Sequence, residues 1–338
     1  MNSISVICPI YNEEKYIATC ITSILQQDFP KENLEILFVD GMSTDKTRQI
    51  ISDFARKYDN IRLLDNPQKT VPYALNIGIQ ASKGDIILRM DAHAIYPRNY
   101  FSVLVKYVVE LDADNVGGVC RTLPANNSSV ATAIANAVSC VFGVGNSHFR
   151  IGANKIQQVD TVPFGCWKKE IFEKIGYFDA ELTRNQDDEF NGRIIKNGGK
   201  IYLIPHIIID YYARDTFKKT MKMFYQYGLF KPLVNKKLGA PATYRQFFPP
   251  LFLLGLLGGL ASFFISSILF QIFLGILTIY FLTGCYFSIK PTCKRKNAHL
   301  LYLMPCLFFL IHLSYGWGYI RGMFKVMFGG KWNVEINR

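Results

Sequence analysis

Residues 3–12 read SISVICPIYN, an apolar run rich in β-branched side chains that ends in Pro-x-Tyr-Asn. Such a run predicts a buried strand over residues 5–9, because β-branched residues pack well on a pleated surface. Further along the chain, the same reasoning predicts strands at residues 35–40, 62–65 and 85–90 and helices at residues 13–27, 45–58 and 72–81. This alternation predicts an α/β domain with a largely parallel sheet covered by helices.

Polar side chains stand where the predicted strands end. Tyr11 and Asn12 follow the first strand, Asp40 ends the second, and Asp91 follows the fourth. The carboxyl ends of parallel strands share one sheet edge, where ligands bind in such folds. The sequence contains neither G-x-G-x-x-G after the first strand nor G-x-x-x-x-G-K-[ST], so the usual glycine loops for nucleotide phosphates are missing. Carboxylates can face a pyrophosphate through a divalent cation, so this acidic edge predicts a metal.

Four short motifs occur in order along the first third of the chain. They are Pro9-x-Tyr11-Asn12-Glu13, Asp40-x-x-Ser43-Thr44-Asp45, Asn76-x-Gly78 and Met90-Asp91-Ala92-His93. In this order and spacing they resemble family 2 glycosyltransferases with the GT-A fold, over about the first 230 residues. The strings RMDAHAIYP, FGVGNSHFR and RNQDDEF resemble the succinoglycan-pathway ExoA subgroup, which elongates polyprenyl-diphosphate-linked saccharides in bacterial exopolysaccharide synthesis. The resemblance implies a Rossmann-like mixed sheet in residues 1–244 that binds a UDP-sugar.

The resemblance also implies which residues hold the donor. The implied nucleotide-sugar-binding residues are Pro9, Tyr11, Glu13, Asp40, Asn76 and Asp91. The Asp40 carboxylate can accept hydrogen bonds from an imide N–H or a ribose hydroxyl, and Tyr11 offers a ring face to the base. Asp40 has an alternative role as a turn or helix-capping acid. Gly41 and Met42 depart from the family's common D-D-G-S, so only the first acid is carried over.

Asp91-Ala92-His93 stands in the place of the family's D-x-D motif, whose last acid usually ligates the metal. His93 replaces that acid. A neutral imidazole is a good ligand for Mn²⁺ and a poor one for Mg²⁺, so the replacement favours manganese within a Mn²⁺ or Mg²⁺ site formed by Asp91 and His93. The alternative is a histidine that only packs against its neighbours.

Residues 186–190, QDDEF, form the second acidic cluster. Family members carry an acid-Asp pair followed by an arginine, and Arg193 sets that register on Gln186 and Asp187. The resemblance therefore implies that Asp187 is the general base, which takes a proton from the acceptor hydroxyl. Asp188 lies about 100° around the predicted helix and is the alternative base. An acid-rich first turn that favours the helix dipole is a further explanation of the cluster.

Residues 214–231 have apolar and basic side chains at helical spacing, which predicts an amphipathic helix on a membrane surface. Gln226-x-x-Leu229-Phe230 lacks the Arg and Trp of the Q-x-x-R-W motif of processive relatives, which argues against long-chain processive synthesis. Candidate residues for the acceptor or its diphosphate are Trp167, Arg214, Gln226 and Lys231. Core packing of the tryptophan and solvation of the basic side chains are equally good explanations.

Composition divides the chain into two physically different parts. The 338 residues are 50% hydrophobic and 19% charged, with a formal net charge of +12, a balance that excludes a disordered chain. Up to Tyr244 there are 29 basic and 25 acidic residues, whereas the remainder has 9 basic residues and one acid, Glu335. The basic excess lies beside apolar runs, so membrane lipids are the predicted partner and nucleic acid is not.

Residues 246–289 contain no charged side chain. As one helix they would measure about 66 Å against a hydrocarbon core of roughly 30 Å, which predicts two spans with a turn near residues 266–271. A second apolar run at residues 300–320 predicts a third full span or a re-entrant helix. The membrane part is thus predicted at residues 245–320, with a basic tail at residues 321–338.

Charge also predicts the topology of these segments. The chain begins directly with a strand-like run, so the catalytic domain is expected in the cytoplasm. Two spans would then return the basic loop that starts at Lys290 to the cytoplasm. A third full span would place Arg321 and Lys325 outside, against the positive-inside rule, so the side of the tail stays open. These observations predict a multi-pass protein of the inner (cytoplasmic) membrane.

The leading hypothesis is a metal-dependent inverting glycosyltransferase that moves a hexose from a UDP-sugar to a polyprenyl-diphosphate-linked saccharide, with exopolysaccharide assembly proteins as candidate partners. One alternative is transfer directly to a lipid phosphate. Another is a catalytically idle nucleotide-sugar scaffold, motivated by His93 and Gln186. A transporter is poorly supported, because His312 is the only ionisable residue in the apolar runs other than Cys or Tyr.

Overall fold

The computed structural model describes residues 3–330 and residue 332, and these residues separate into two compact units. The first unit contains residues 3–121 and 152–211 together with Trp332, and the second contains residues 122–151 and 212–330. Each unit is therefore built from segments that are distant along the chain.

The secondary structure follows the alternation expected from the sequence. The strands are β1 (Ile4–Ile10), β2 (Leu34–Asp40), β3 (Ile61–Asp65), β4 (Ile86–Arg89), β5 (Ala94–Ile95), β6 (Asn115–Leu123), β7 (Gln157–Gln158), β8 (Cys166–Lys168) and β9 (Ile201–Tyr212). The helices are α1 (Ile17–Leu25), α2 (Thr47–Ala55), α3 (Val71–Ala81), α4 (Tyr100–Glu110), α5 (Ser129–Ala137), α6 (Val141–Val144), α7 (His148–Ile151), α8 (Glu170–Ile175), α9 (Gln186–Lys196), α10 (Phe217–Leu238), α11 (Phe248–Ala261), α12 (Ser267–Arg295) and α13 (Leu300–Phe328).

One mixed sheet organises the first unit. Its strand order is β3-β2-β1-β4-β8-β6-β9-β5, and β7 pairs with β9. β1, β2, β3 and β4 run parallel, whereas β8 pairs antiparallel with both β4 and β6. This is the GT-A-type mixed α/β sheet predicted from the sequence, and the predicted fold class is confirmed.

The apolar run that begins the chain becomes the centre of this sheet. All seven residues of β1 are buried, because the strand lies between β2 and β4 and is covered on both faces. α1 buries Ile17, Cys20, Ile21 and Ile24 along one stripe, as the i, i+3, i+4 spacing of these residues predicts.

The core of the second unit is formed by helices. Leu300, Met304 and Phe308 of α13 are fully buried together with residues of α5 and with Phe224 of α10. Where α13 crosses α10, glycines allow the two helix backbones to approach closely. A Cβ added at Gly322 would lie 2.3 Å from the carbonyl oxygen of Leu229. α13 therefore packs against protein along much of its length.

Within residues 3–330, three helical segments are long and apolar enough to cross a membrane: Tyr244–Phe264, Ser267–Arg295 and Leu300–Phe328. Only 11% and 6% of the first two apolar windows are buried, against 44% for the third. The first two segments therefore expose most of their apolar surface, whereas nearly half of the α13 window is buried inside the protein.

The bounds of these segments refine the sequence-based description. The 3-10 turn Ser262–Phe264 and the start of α12 at Ser267 lie at the expected turn, while Gln271 lies inside α12. α13 continues to Phe328 and includes Arg321 and Lys325, so the residues expected to begin a basic tail are helical. Residues 331 and 333–338 of that predicted tail lie outside the described residues.

Candidate active site

The parallel strands bring the motif residues of the first unit to one sheet edge. In the register of β1 and β2, Ile10 lies opposite Asp40, and in the register of β1 and β4, Ile7 lies opposite Arg89. Tyr11 directly follows β1 and Asp91 lies two residues after the end of β4, so both leave the sheet at this same edge.

The loops at this edge contain left-handed backbone at non-glycine residues. Asn12 has φ 54°, Met42 has φ 62° and Asn185 has φ 60°. The first two loops brace each other, since the Asn12 N–H donates to Ser43 Oγ at 2.8 Å and the Thr44 N–H donates to Asn12 Oδ1 at 2.9 Å. Strained residues of this kind persist where the surrounding structure holds them, and they cluster at functional sites.

Arg89, the last residue of β4, joins two of the predicted acids. Its Nη1 donates to Asp187 Oδ1 at 2.8 Å and to Asp187 Oδ2 at 3.0 Å. Its Nε and Nη2 each lie 3.3 Å from Asp91 Oδ1. Asp91 and Asp187 are distant along the chain, and this guanidinium brings their carboxylates together.

The surroundings of Arg89 fix its position. Its side chain is 9% exposed, and its guanidinium carbon lies 5.8 Å from the centre of the Phe164 ring. Its backbone N–H donates to the carbonyl of Gly165 at 3.0 Å. The Asp91 N–H donates to the Tyr96 hydroxyl at 2.8 Å, so both ends of the Arg89 to Asp91 contact are held by buried groups.

Opposing electrostatic effects act on the pKa of the Asp187 carboxyl. Loss of solvation raises the pKa of the Asp187 carboxyl above its ordinary value, Arg89 lowers it, and Asp188 and Asp91 raise it again. Burial disfavours the charged form of Arg89, but the carboxylates of Asp187 and Asp91 outweigh that effect and raise its pKa. Arg89 therefore stays cationic, and Asp187 is more basic than an ordinary aspartate.

α9 presents Asp187 in its first turn. Glu189 and Arg193 form a two-point ion pair at 2.6 and 2.9 Å, and Arg193 also donates to the carbonyls of Ile175 and Tyr177. Phe190 is fully buried against Phe172, Phe178 and Trp167. These contacts tie the helix to its neighbours, which holds the Asp187 carboxylate at the edge of the sheet.

Asp91 and His93 provide a donor set that fits a divalent cation. Among residues 3–330 and Trp332, no cluster of three or more His, Cys, Asp or Glu side chains has metal-binding geometry. In nucleotide sites, however, such a cation commonly takes one or two protein ligands and completes its shell with phosphate oxygens. His93 Nδ1 lies 3.6 Å from Oε1 of the buried Glu13. This distance is longer than a hydrogen bond, but it leaves the Glu13 carboxylate facing the imidazole.

Asp40 is at the edge, but its carboxylate is already occupied. The side chain is fully buried and accepts hydrogen bonds from the Ser43 N–H, the Ser43 hydroxyl and Arg48 Nη1. Arg48 Nη2 also pairs with Asp65 at 2.8 Å. In this structure Asp40 acts as a turn-closing acid, and a contact with a base or ribose would require these partners to change.

Two other predicted residues have structural partners away from the edge. Asn76 exchanges both side-chain hydrogen bonds with the backbone of Phe178, at 2.8 and 2.9 Å. Trp167 is 3% exposed and lies among buried phenylalanines. The structure therefore places Trp167 in the core, as the packing alternative predicted, and gives Asn76 the role of joining α3 to the segment before α9.

The remaining acceptor candidates lie in the second unit. Gln226 and Lys231 are buried within α10, at 2% and 6% exposure, and Arg214 precedes that helix at intermediate exposure. Burial of Lys231 is unusual, because lysine is among the residues least often found inside proteins.

Arg89 and Arg48 were not identified from the sequence. Arg89 did carry a signal, because it is a charged residue inside the apolar strand segment IILRM. Charged side chains are almost never buried without a partner. That rule predicts a buried counter-ion for Arg89, although it does not say which acid supplies it.

Comparison with known proteins identifies the family of this chain. The family model described as Glycosyl transferase family 2 matches residues 5–175. The chain belongs to glycosyltransferase family 2, and the resemblance inferred from its motifs is confirmed.

Similar proteins extend the match over nearly the whole chain. The dolichyl N-acetyl-α-D-glucosaminyl phosphate 3-β-D-2,3-diacetamido-2,3-dideoxy-β-D-glucuronosyltransferase of Methanococcus voltae is 33% identical over 331 residues, 96% of this chain and 98% of that protein. The succinoglycan biosynthesis protein ExoA of Rhizobium meliloti is 28% identical over 233 residues, 66% of each chain. Among solved structures, the mannosyltransferase PcManGT of Pyrobaculum calidifontis, in complex with GDP-Man and Mn²⁺, has a TM-score of 0.61 at 19% identity. That alignment covers 94% of this chain and 87% of PcManGT, and it supports the fold.

Proposed function

We propose that this protein is a membrane-associated inverting glycosyltransferase that moves a sugar, which we take to be a hexose, from a UDP-sugar to a lipid-linked saccharide. The observation that carries the proposal is that the Arg89 guanidinium contacts both Asp91 and Asp187 at the edge of a GT-A sheet. One acid serves the donor side and the other serves the acceptor side.

Asp187 is proposed as the general base. Its carboxylate takes the proton of the acceptor hydroxyl while the hydroxyl oxygen attacks the anomeric carbon, opposite the leaving diphosphate. The bond to the diphosphate breaks as the new glycosidic bond forms, so the anomeric configuration inverts. The Asp187 side chain is 35% exposed, which gives an acceptor access to it. Asp188 is the alternative base on the same helix.

The donor is proposed to lie along the same edge. Asp91 and His93 would hold a divalent cation, with Glu13 orienting the imidazole, and a cation there neutralises charge on the leaving diphosphate. The Mn²⁺ in the PcManGT complex supports this choice. Pro9 and Tyr11 would border the base, with Tyr11 37% exposed and able to offer its ring face.

The acceptor is proposed to be membrane-borne. The Methanococcus voltae relative is named for transfer to a dolichyl-phosphate-linked N-acetylglucosamine, and ExoA is named for succinoglycan biosynthesis. The exposed apolar surface of α11 and α12 fits insertion in a lipid bilayer, and the basic residues that end α12 fit anionic headgroups. We place the protein in the cytoplasmic membrane with its catalytic unit in the cytoplasm. Arg214, Gln226 and Lys231 are the candidate residues for the acceptor or its phosphate groups.

Analysis of the reaction product tests this function. Membranes containing the protein are supplied with a panel of UDP-sugars and with either a polyprenyl-diphosphate-linked saccharide or a bare polyprenyl phosphate. The proposal predicts UDP release that depends on the lipid-linked saccharide, with a product whose new linkage has the anomeric configuration opposite to that of the donor. Transfer only to the bare lipid phosphate would indicate a sugar–phosphate synthase. Absence of release with every donor would support the nucleotide-sugar scaffold instead.

A further inference from the structure

We propose that Arg89 is a positioning residue, which fixes the catalytic carboxylate of Asp187 relative to the donor-side carboxylate of Asp91 through one guanidinium. This inference rests on the proposed function. Arg89 lies outside both the Asp91-Ala92-His93 segment and the acidic cluster of α9, so neither motif gives it a function.

The geometry of the guanidinium supports this role. Nη1 contacts both oxygens of Asp187, at 2.8 and 3.0 Å, while Nε and Nη2 contact Asp91 Oδ1, each at 3.3 Å. These three nitrogens belong to one rigid plane, so the directions of the two contacts cannot change independently. A lysine in the same place would offer a single ammonium group and could not hold both acids in this way.

The burial of the group argues against a purely stabilising role. A buried ion pair gains little stability over an apolar replacement of similar size, because the loss of solvation offsets the attraction. Arg89 is nevertheless 9% exposed and lies at the end of a central strand, under the Phe164 ring. Three charged groups gathered at the ligand edge are better explained by what they orient than by the stability they add.

Arg89 leaves Asp187 able to act as a base. A carboxylate has about four lone-pair sites, and a single nitrogen shared between both oxygens uses the inner two. The outer lone pairs remain for the acceptor hydroxyl. Displacing a reacting group by about 1 Å can lower a rate by about 100-fold, so a fixed carboxylate is worth a large factor in turnover.

The experiment compares R89K and R89M with wild type, and uses R121K as the matched control. Arg121 also makes a two-point contact with an aspartate, Asp210, at 2.5 and 2.7 Å, but its side chain is 60% exposed and outside the proposed site. For each variant in membranes, kcat and KM for the donor and the acceptor are measured. Binding of UDP and thermal unfolding are measured on the same preparations.

The proposal predicts that R89K lowers kcat by about 100-fold, with UDP affinity and unfolding temperature close to wild type, and that R89M lowers kcat at least as much. R121K should keep the wild-type kcat.

Wild-type kcat in R89K would overturn the inference, because charge alone would then suffice. A loss confined to KM would overturn it too, since it would make Arg89 a binding residue. If R89M fails to fold, R89K still decides. Failure of the wild type to turn over would count against the proposed function and not against Arg89 specifically.

Discussion

At the scale of single residues, Asp187 has the properties that a general base needs. It lies in the first turn of a well-fixed helix, it is partly open to solvent, and its surroundings raise the pKa of its carboxyl. A base with a raised pKa accepts a proton more readily, which suits proton transfer from an acceptor hydroxyl.

This raised pKa predicts the acid limb of the pH dependence. The base works in its ionised form, so turnover is lost as the pH falls through the pKa of Asp187. Because that pKa lies above its ordinary value, the limb of kcat should lie above the ordinary aspartate range, which centres on about 3.9. The measurement is kcat at saturating donor and acceptor from pH 4 to 8, with UDP affinity followed over the same range. Full activity at pH 4 with UDP still bound would contradict the assignment.

The contact between Glu13 and His93 leads to a prediction about metal binding that can be tested without measuring enzyme turnover. Replacing Glu13 with Gln removes the carboxylate charge that faces His93 Nδ1, so the imidazole is less well oriented as a ligand. E13Q should bind Mn²⁺ about 10-fold to 100-fold more weakly, measured from the electron paramagnetic resonance signal of free Mn²⁺ with UDP present. E14Q, at the exposed neighbouring position, should bind Mn²⁺ as the wild type does. Equal affinity of E13Q and wild type would show that His93 does not depend on this carboxylate.

Sequence reasoning predicted some of these residues and not others for physical reasons. Asp187 was singled out because the family resemblance sets its register through Arg193, which lies in the same helix. The contact between Arg89 and Asp187 joins residues 98 positions apart, and no local pattern specifies such a pairing. The Asp40 carboxylate was expected to contact a nucleotide, but it accepts hydrogen bonds from Ser43 and Arg48. These hydrogen bonds depend on a loop conformation with left-handed backbone at Met42.

At the scale of elements, the strands and the three apolar helical segments were predicted from the sequence, but the packing of the last helix was not. Apolar β-branched runs identify buried strands directly, and β1 to β4 appear within two residues of their expected bounds. The run at residues 300–320 was expected to face lipid, but α13 also packs against α5 and α10. Composition cannot make this distinction, because a lipid tail and an apolar helix attract the same side chains.

Glycines at the crossing of α10 and α13 give a prediction at this scale. A Cβ at position 322 would lie 2.3 Å from the Leu229 carbonyl oxygen, whereas one at position 258 in α11 meets nothing within 4 Å. G322A should therefore separate the two helices and lower stability by about 1–3 kcal/mol, partly offset by the better helix propensity of alanine. G258A is the matched control and should unfold at or above the wild-type temperature.

Thermal unfolding in detergent measures both variants. If G322A unfolds at the same temperature as G258A, the close approach of α10 and α13 does not occur in the folded protein. A lower temperature for G322A alone would support the packing described for the second unit.

At the scale of the whole molecule, the two units are interleaved along the chain. Residues 122–151 leave the sheet region and join the helical unit, which is completed by residues 212–330. The sequence suggested a simple boundary at residue 245 because charge disappears there. The absence of charged residues indicates which segments can contact lipid. It does not indicate which earlier segment packs against α13, so the membership of α5 in the helical unit could not be inferred.

The most direct test of the central claim is turnover by the D187N variant in membranes that also yield its UDP affinity. Loss of the base should lower kcat by about 10²-fold to 10⁴-fold, with UDP binding unchanged, whereas D188N should retain most of the wild-type turnover. Wild-type turnover in D187N, or loss of turnover in D188N alone, would contradict the assignment of Asp187 as the base.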